Sequence, residues 1–165
     1  MTKVLIIGYV WPEPNSSAAG SRMMQLIEFF QAQKWQVTFA SPAAESEHRF
    51  PFESLGVIKE NIKVNSDCFD SFIENLNPDI VLFDRFIMEE QFGWRVERTC
   101  PTALRLLETV DLHCLREARH TALKQQRDYT KQDLFSEVAQ REIASILRCD
   151  LSLMIYDSDI KLLEE

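Results

Sequence analysis

Polar side chains that could bind or position a ligand follow three predicted strands of this sequence. Arg22 comes after the loop that follows the first strand, Asp84 and Arg85 follow the fourth, and Asp111 and His113 follow the fifth. In open parallel sheets, ligands bind beyond the carboxyl ends of the strands. We therefore expect these residues to lie near one another at one edge of a sheet.

The loop after the first strand, residues 9–21, is rich in Pro, Asn and Ser and leads into a predicted helix. At a helix N-terminus the unpaired backbone N–H groups and the helix dipole favour an anion. A serine hydroxyl could also hydrogen-bond a sugar, and a guanidinium could pair with a phosphate. Alternatively, a serine only caps the helix and the arginine is solvated. The candidate binding residues of this segment are Asn15, Ser16, Ser17, Gly20 and Arg22.

The strand-end residues Asp84, Arg85, Asp111 and His113 suggest contacts with hydroxyl groups. Asp84 with Arg85 could contact a polyol, or the two could form a local ion pair. Asp111 could act as a carboxylate acceptor or base, and His113 could donate a hydrogen bond near neutral pH. The alternative is that Asp111 caps the next helix and that His113 is an incidental surface residue.

A mostly basic run follows, in which five positions are predicted to share one helical face: residues 116, 120, 124, 127 and 131. That face could meet an anionic acceptor, a lipid surface or a second domain. Alternatively, it is a solvated charged face. Peripheral contact with a membrane is therefore kept as an expectation.

Several functional classes are disfavoured by what the sequence does not contain. It has no Gly-x-Gly-x-x-Gly and no Walker-type Gly-x-x-x-x-Gly-Lys segment, so a classical NAD dehydrogenase is improbable. We find no recognisable catalytic triad and no metal-ligand cluster. The cysteines are too far apart for a zinc knuckle or redox pair, and we predict that all are reduced and buried: Cys68, Cys100, Cys114 and Cys149.

Length and composition predict a single globular domain. The chain has 165 residues, 45% of them apolar, which is enough for one core and too few for two comfortable domains. Its net charge of -8 disfavours nucleic acid as the main partner. No apolar run approaches the roughly 20 residues of a transmembrane helix, and no secretory signal is visible. We therefore predict a cytoplasmic protein.

Hydrophobic periodicity predicts strands that alternate with helices. The strands are expected at residues 3–8, 36–41, 62–64, 79–84, 103–109 and 151–155. The helices are expected at residues 20–34, 68–76, 88–99, 115–126 and 134–148, and from residue 157 onward. Such alternation implies βαβ crossovers, and thus an α/β, Rossmann-like parallel sheet with helices on both faces. The final helix ends without a cap or polar tail, so we expect residues 1–165 to be one domain of a longer chain.

Three segments, in this order and spacing, resemble the N-terminal half of GT-B glycosyltransferases, in particular the large retaining family 4-like group. The loop Trp-Pro-Glu-Pro-Asn-Ser-Ser-Ala-Ala-Gly at residues 11–20 is similar to the family's loop before the first helix. Residues 78–82, Pro-Asp-Ile-Val-Leu, and the segment from Glu142 to Leu163 are similar to two further family segments. Residues 109–117 also look like a variant found in this group. The sequence differs in having Ala19-Gly20 for a double glycine, Val110 where a histidine is common and Tyr156 where a serine is common.

The resemblance implies a division of labour between two halves. This half would bind a sugar or glycan acceptor, and a missing C-terminal Rossmann-like half would bind the nucleotide-sugar donor, with no cofactor in the present domain. The first-strand loop would lie near the donor phosphates. Asp111 would be the catalytic carboxylate, with His113 and Arg116 beside it at the acceptor. The alternative is a non-catalytic, Rossmann-like binding domain of a larger polysaccharide-related protein.

Overall fold

A six-stranded, fully parallel sheet forms the centre of the computed structural model, which describes residues 1–164 apart from the side chain of Glu53. The strand order is β3-β2-β1-β4-β5-β6. The strands are β1 (Lys3–Ile7), β2 (Gln36–Ser41), β3 (Ile58–Asn61), β4 (Ile80–Asp84), β5 (Leu104–Glu108) and β6 (Leu151–Leu153). The predicted α/β, Rossmann-like fold class is therefore confirmed.

Six α-helices surround this sheet. They are α1 (Ala18–Ala32), α2 (Asp67–Leu76), α3 (Phe86–Thr99), α4 (His113–Lys124), α5 (Glu137–Arg148) and α6 (Asp157–Glu164). Two short 3₁₀ helices, Phe52–Leu55 and Lys131–Leu134, lie in connecting segments. Every helix predicted from the sequence is present, with bounds that differ by at most a few residues.

The central strand β1 explains why the sheet has helices on both faces. Val4 and Ile6 point to the face that α1 covers, whereas Leu5 and Ile7 point to the face covered by α2 and α3. All four side chains are buried. A strand without a polar face must be covered on both sides, which is the usual arrangement in parallel sheets.

The third strand lies earlier than predicted, at residues 58–61 instead of 62–64. It pairs with β2 in a register that joins Thr38 to Ile58 and Ser41 to Asn61. Ile62 is buried, but only its backbone N–H continues the ladder, to the Ser41 carbonyl oxygen. Residues 58–61, which include Lys59 and Glu60, therefore form the strand beside β2, although residues 62–64 are more apolar.

The single basic face predicted for residues 116–131 is wrong, because α4 ends at Lys124. Gln126 adopts a φ of 54°, which turns the chain out of the helix. Arg127 then lies beyond the helix and pairs with Asp133 at 2.5 Å. The basic residues are thus divided between a helix and a separate turn.

The prediction that all four cysteines are buried is wrong at one position. Cys68 is exposed in the first turn of α2, whereas Cys100 and Cys114 are buried and Cys149 is half-buried. The apolar stripe of α2 is carried by Phe69 and Ile73, one and five residues later, so Cys68 faces outward.

Candidate functional site

The carboxyl ends of β1, β4 and β5 meet at the point where the strand order reverses, and two carboxylates are buried there. β2 and β3 lie on one side of β1, and β4, β5 and β6 lie on the other, so the strand order reverses beside β1. Asp84 and Glu108 are partners in the β4–β5 register, and their residues are 6% and 0% exposed. Switch points of this kind are the usual ligand crevices of open α/β sheets.

Asp84 is held by the start of the first loop. Its Oδ2 accepts a hydrogen bond from the Tyr9 backbone N–H at 3.0 Å, and its Oδ1 lies 3.8 Å from Arg85 Nε. Burial raises the pKa of Asp84, and the positive charge of Arg85 only partly offsets that effect. Both predicted alternatives for this pair are thus compatible with the geometry, since the ion pair is loose.

Glu108 forms an ion pair that the sequence pattern did not predict. Its Oε2 accepts a hydrogen bond from Arg22 Nη2 at 3.3 Å, while the Glu108 side chain is 0% exposed. Burial raises its pKa in spite of Arg22, and the nearby Asp84 raises it further. The Arg22 side chain is 31% exposed, so its guanidinium is only partly solvated while it pairs with the buried carboxylate.

Backbone strain occurs at two places along this edge of the sheet. Arg85 has a φ of 73° and its guanidinium lies over the Tyr9 ring, 4.9 Å from the centroid. Val110 has a φ of 65°, and the Asp111 N–H donates across it to the Thr109 carbonyl oxygen at 2.8 Å, which closes a γ-turn. A positive φ is unfavourable for a β-branched residue, and such strain concentrates at functional sites.

A cavity of about 280 Å³ opens between the first loop and the carboxyl end of β4. Asp84 and Arg85 line it on the strand side, and Ser17 and Gly20 line it at the start of α1. Trp11, from the same loop, also lines the cavity. Four of the predicted site residues thus line one cavity: Ser17, Gly20, Asp84 and Arg85.

The predicted residues of the first loop other than Arg22 have structural or exposed positions. The Ser17 hydroxyl oxygen accepts a hydrogen bond from the Gly20 N–H at 3.0 Å, so this serine caps α1. Asn15 and Ser16 are exposed and make no side-chain hydrogen bond with residues 1–164. At Gly20, an added Cβ would lie 2.5 Å from the Glu13 carbonyl oxygen, so the glycine permits close contact between loop and helix.

Asp111 and Arg116 form a surface pair. Arg116 Nη1 donates to both carboxylate oxygens of Asp111, at 2.9 and 2.8 Å. The N-cap of α4 is Leu112, so the alternative in which Asp111 caps the helix is wrong. Neither residue lines the cavity beside Asp84.

His113 is fixed by a buried glutamate from α5. The Glu142 carboxylate accepts hydrogen bonds from the His113 and Cys114 backbone N–H groups, each at 2.9 Å, and Oε1 lies 3.4 Å from His113 Nδ1. Burial opposes ionisation of Glu142, but these hydrogen bonds hold its pKa below the usual value. The edge of the His113 ring meets Phe86, with centroids 5.3 Å apart. The sequence indicated Glu142 only as the first residue of the third segment that resembles the GT-B family.

Residues 1–164 were also compared with the requirements for a metal site, a reactive thiol and a membrane-spanning helix. No group of three or more His, Cys, Asp or Glu side chains in this part of the chain could hold a metal ion. Burial raises the pKa of Cys114 and Cys149 to about 12, so these thiols are poor nucleophiles. None of the helices described is long and apolar enough to cross a membrane.

Fold and site together define a Rossmann-like α/β domain with charged side chains gathered at its topological switch point. No protein-family model and no curated protein matches the sequence. One solved structure that matches is an α-glucosyltransferase in complex with UDP and a 13-mer DNA containing a HMU base, with 10% sequence identity and a TM-score of 0.49. The match covers 91% of this chain and 36% of that protein, so the present chain spans about a third of its length.

Proposed function

We propose that this domain is the acceptor-binding half of a glycosyltransferase, which moves a sugar from a nucleotide-sugar to an acceptor hydroxyl. The main support is the cavity at the switch point, which has the buried Asp84 carboxylate on one side and the start of α1 on the other. Three segments of the sequence resemble the GT-B family. The first forms the loop before α1, which lines the cavity, and the second leads into β4. The third spans α5, β6 and α6.

The chemistry of the cavity suits an uncharged, hydroxyl-bearing ligand. A carboxylate accepts hydrogen bonds from hydroxyl groups, and a guanidinium donates them. Arg85 also pairs with Asp84, which reduces its attraction for a phosphate. The volume of 280 Å³ is near the lower end of small-molecule sites, about 300 Å³, and fits a small ligand or one ring of a larger glycan.

In the proposed reaction, an acceptor oxygen bonds to the anomeric carbon as the bond from that carbon to the nucleoside diphosphate breaks. The hydroxyl proton passes to a base, for which Asp111 is the proposed carboxylate. This domain would position the acceptor, and a second Rossmann-like half would bind the donor. Catalysis of this kind depends on positioning and on stabilisation of developing charge. We therefore expect residues 1–165 alone to show no turnover.

Binding and transfer assays with UDP- and GDP-sugars test this proposal on the present domain and on the longer chain that it requires. We expect the longer chain to bind a nucleotide-sugar and the domain alone not to. Asp84→Asn and Asp111→Ala should each lower transfer at least tenfold. Asp79→Asn, at the opposite edge of the sheet, is the matched control and should leave transfer unchanged. A longer chain that binds no nucleotide-sugar, together with variants that change no activity, would refute the proposal.

A non-catalytic binding domain is the second candidate, and the Asp111–Arg116 pair favours it. A carboxylate engaged by a guanidinium through both oxygens is less available as a base. In that case the longer chain would bind a glycan without transferring sugar. Asp84→Asn would then weaken glycan binding, whereas Asp111→Ala would not.

A further inference from the structure

The His113 ring is held with acceptors, and no donor, around one of its two nitrogens. Nδ1 lies 3.2 Å from the Asp111 carbonyl oxygen and 3.4 Å from Glu142 Oε1. A carbonyl oxygen and an ionised carboxylate can only accept hydrogen bonds. The hydrogen bonds to Glu142 also keep its pKa low, so this carboxylate is ionised near neutral pH. Nδ1 must therefore carry a hydrogen in either protonation state of the ring.

In the neutral ring, a hydrogen on Nδ1 determines which role Nε2 has. A neutral imidazole has one N–H and one lone pair, so a hydrogen on Nδ1 leaves the lone pair on Nε2. Among the residues that the structure describes, no side chain or backbone group hydrogen-bonds Nε2. The His113 side chain is 12% exposed. Nε2 is therefore open to a ligand as a hydrogen-bond acceptor.

We infer that Glu142 is a positioning residue, which fixes His113 as the Nδ1–H tautomer so that Nε2 accepts a hydrogen bond from a ligand hydroxyl. The His113 ring lies against Phe86, which directly follows Arg85 in the chain, with ring centroids 5.3 Å apart, so the ring lies beside the carboxyl end of β4. The ligand class in this inference rests on the proposed function. A hydroxyl group donates to Nε2, whereas a fully ionised phosphate oxygen cannot donate.

Glu142 is suited to this role because its carboxylate is rigidly bound. It is 1% exposed and accepts hydrogen bonds from two backbone N–H groups at the start of α4. These N–H groups belong to the first turn, where no intrahelical acceptor exists. The same glutamate thus caps the helix and orients the side chain at its first position. Ring-orienting carboxylates of this kind fix the tautomer of functional histidines in other proteins.

Nitrogen NMR of ¹⁵N-histidine-labelled protein at pH 8 tests the tautomer without any ligand. We expect His113 to show an unprotonated Nε2 and a protonated Nδ1. His48 and His120, which are exposed, are internal controls and should show tautomers that interconvert. If His113 carries its hydrogen on Nε2, the inference is wrong.

Glu142→Leu removes the acceptor near His113 Nδ1, together with the acceptors of the two backbone N–H groups at the start of α4. We expect the His113 signals to move toward a mixture of tautomers while the rest of the spectrum stays folded. An unchanged tautomer in this variant would show that the Asp111 carbonyl oxygen suffices, and would remove Glu142 from the role. The measurement on the unaltered protein remains decisive if the variant fails to fold.

Titration of the labelled protein at pH 8 with glucose and, separately, with inorganic sulfate, which carries no hydrogen at this pH, tests the ligand class. We expect glucose to shift the Nε2 signal and sulfate at the same concentration to shift it at least about fivefold less. A larger response to sulfate would overturn the hydroxyl assignment. If the tautomer is as inferred but the longer chain neither binds nor transfers sugar, the positioning by Glu142 stands and the proposed function fails.

Discussion

Two carboxylates are buried at the carboxyl edge of the sheet. Asp84 and Glu108 lie side by side at the ends of β4 and β5, and burial raises the pKa of each. A carboxyl whose pKa is higher in the folded state than in the unfolded chain binds its proton more tightly when folded. Its contribution to stability is therefore largest at low pH and declines as the pH rises through the folded value.

Asp84→Asn should remove the part of this pH dependence that Asp84 contributes. An amide oxygen can still accept the Tyr9 N–H, but residue 84 no longer carries a buried charge. The difference in unfolding free energy, variant minus unaltered protein, should rise between pH 4 and pH 8, by about 1.4 kcal/mol for each unit by which the pKa is raised. Urea denaturation at several pH values measures it.

The same change at an exposed aspartate is the control for Asp84→Asn. The Asp150 Oδ2 also accepts a backbone N–H, from Arg105 at 2.8 Å, but its side chain is 45% exposed. Asp150→Asn should show no comparable rise with pH. A flat difference for Asp84→Asn would mean that its carboxylate carries no net cost in the folded protein.

The strained Val110 gives a second prediction at the scale of one residue. At a φ of 65°, a residue with a Cβ is less favourable than glycine. We expect Val110→Gly to be more stable than Val110→Ala by about 1 kcal/mol, as measured by thermal or urea unfolding. Ala144→Gly in α5 is the control, where glycine should instead cost about 1 kcal/mol. The opposite order at residue 110 would show that the turn is not strained.

At the scale of elements, the contact between the first loop and α1 shapes one wall of the cavity. Gly20 is buried in the first turn of α1, and the backbone of Glu13 passes directly over it. The loop is tied to the helix again by the Ser21 hydroxyl, which donates to the Pro14 carbonyl oxygen at 2.9 Å. The loop and the helix N-terminus therefore form one rigid unit beside Asp84.

Gly20→Ala should be destabilising although alanine is the better helix former. Helix propensity alone predicts a gain of about 1 kcal/mol. Because the new Cβ would lie 2.5 Å from a backbone oxygen, we expect a loss of about 1–3 kcal/mol in urea unfolding instead. Gln25→Ala, on the exposed side of the same helix, should change stability by less than about 0.5 kcal/mol. A stabilised Gly20→Ala protein would contradict the close contact.

At the scale of the whole molecule, the Arg22–Glu108 pair joins α1 to β5 across the switch point. The two residues are 86 positions apart in the chain. Because Glu108 is 0% exposed, loss of its partner would leave a buried charge uncompensated. The pair thus couples the helix on one face of the sheet to the strand beside β4.

Arg22→Ala should therefore cost about 3 kcal/mol of unfolding free energy at pH 8. The cost should be smaller at lower pH, because burial raises the pKa of Glu108 and protonation removes its charge. Arg116→Ala, which breaks the more exposed pair with Asp111, should cost less than about 1 kcal/mol. Equal effects of the two substitutions would show that the Glu108 carboxylate gains little from Arg22.

The positions of most elements could be predicted from the sequence, because they depend on local pattern. Continuous apolar runs such as residues 4–7 mark strands buried on both faces, and the spacing of Met23, Ile27 and Phe30 marks a helix. The hydrophobic pattern gave the wrong position for β3, because that position depends on pairing with β2. It also failed for the basic face of residues 116–131, because the chain turns out of the helix at Gln126.

The candidate site was predicted only in part, for the same physical reason. Asp84 and Arg85 lie at the carboxyl edge of the sheet, where the sequence places them, because the carboxyl ends of parallel strands meet at one edge. The sequence by itself thus determined the fold class and which edge of the sheet is polar. Only the tertiary structure decided that Arg22 neutralises Glu108 and that Glu142 holds His113. Such pairings join residues far apart in the chain, and burial, which sets their strength, is a property of the packed molecule.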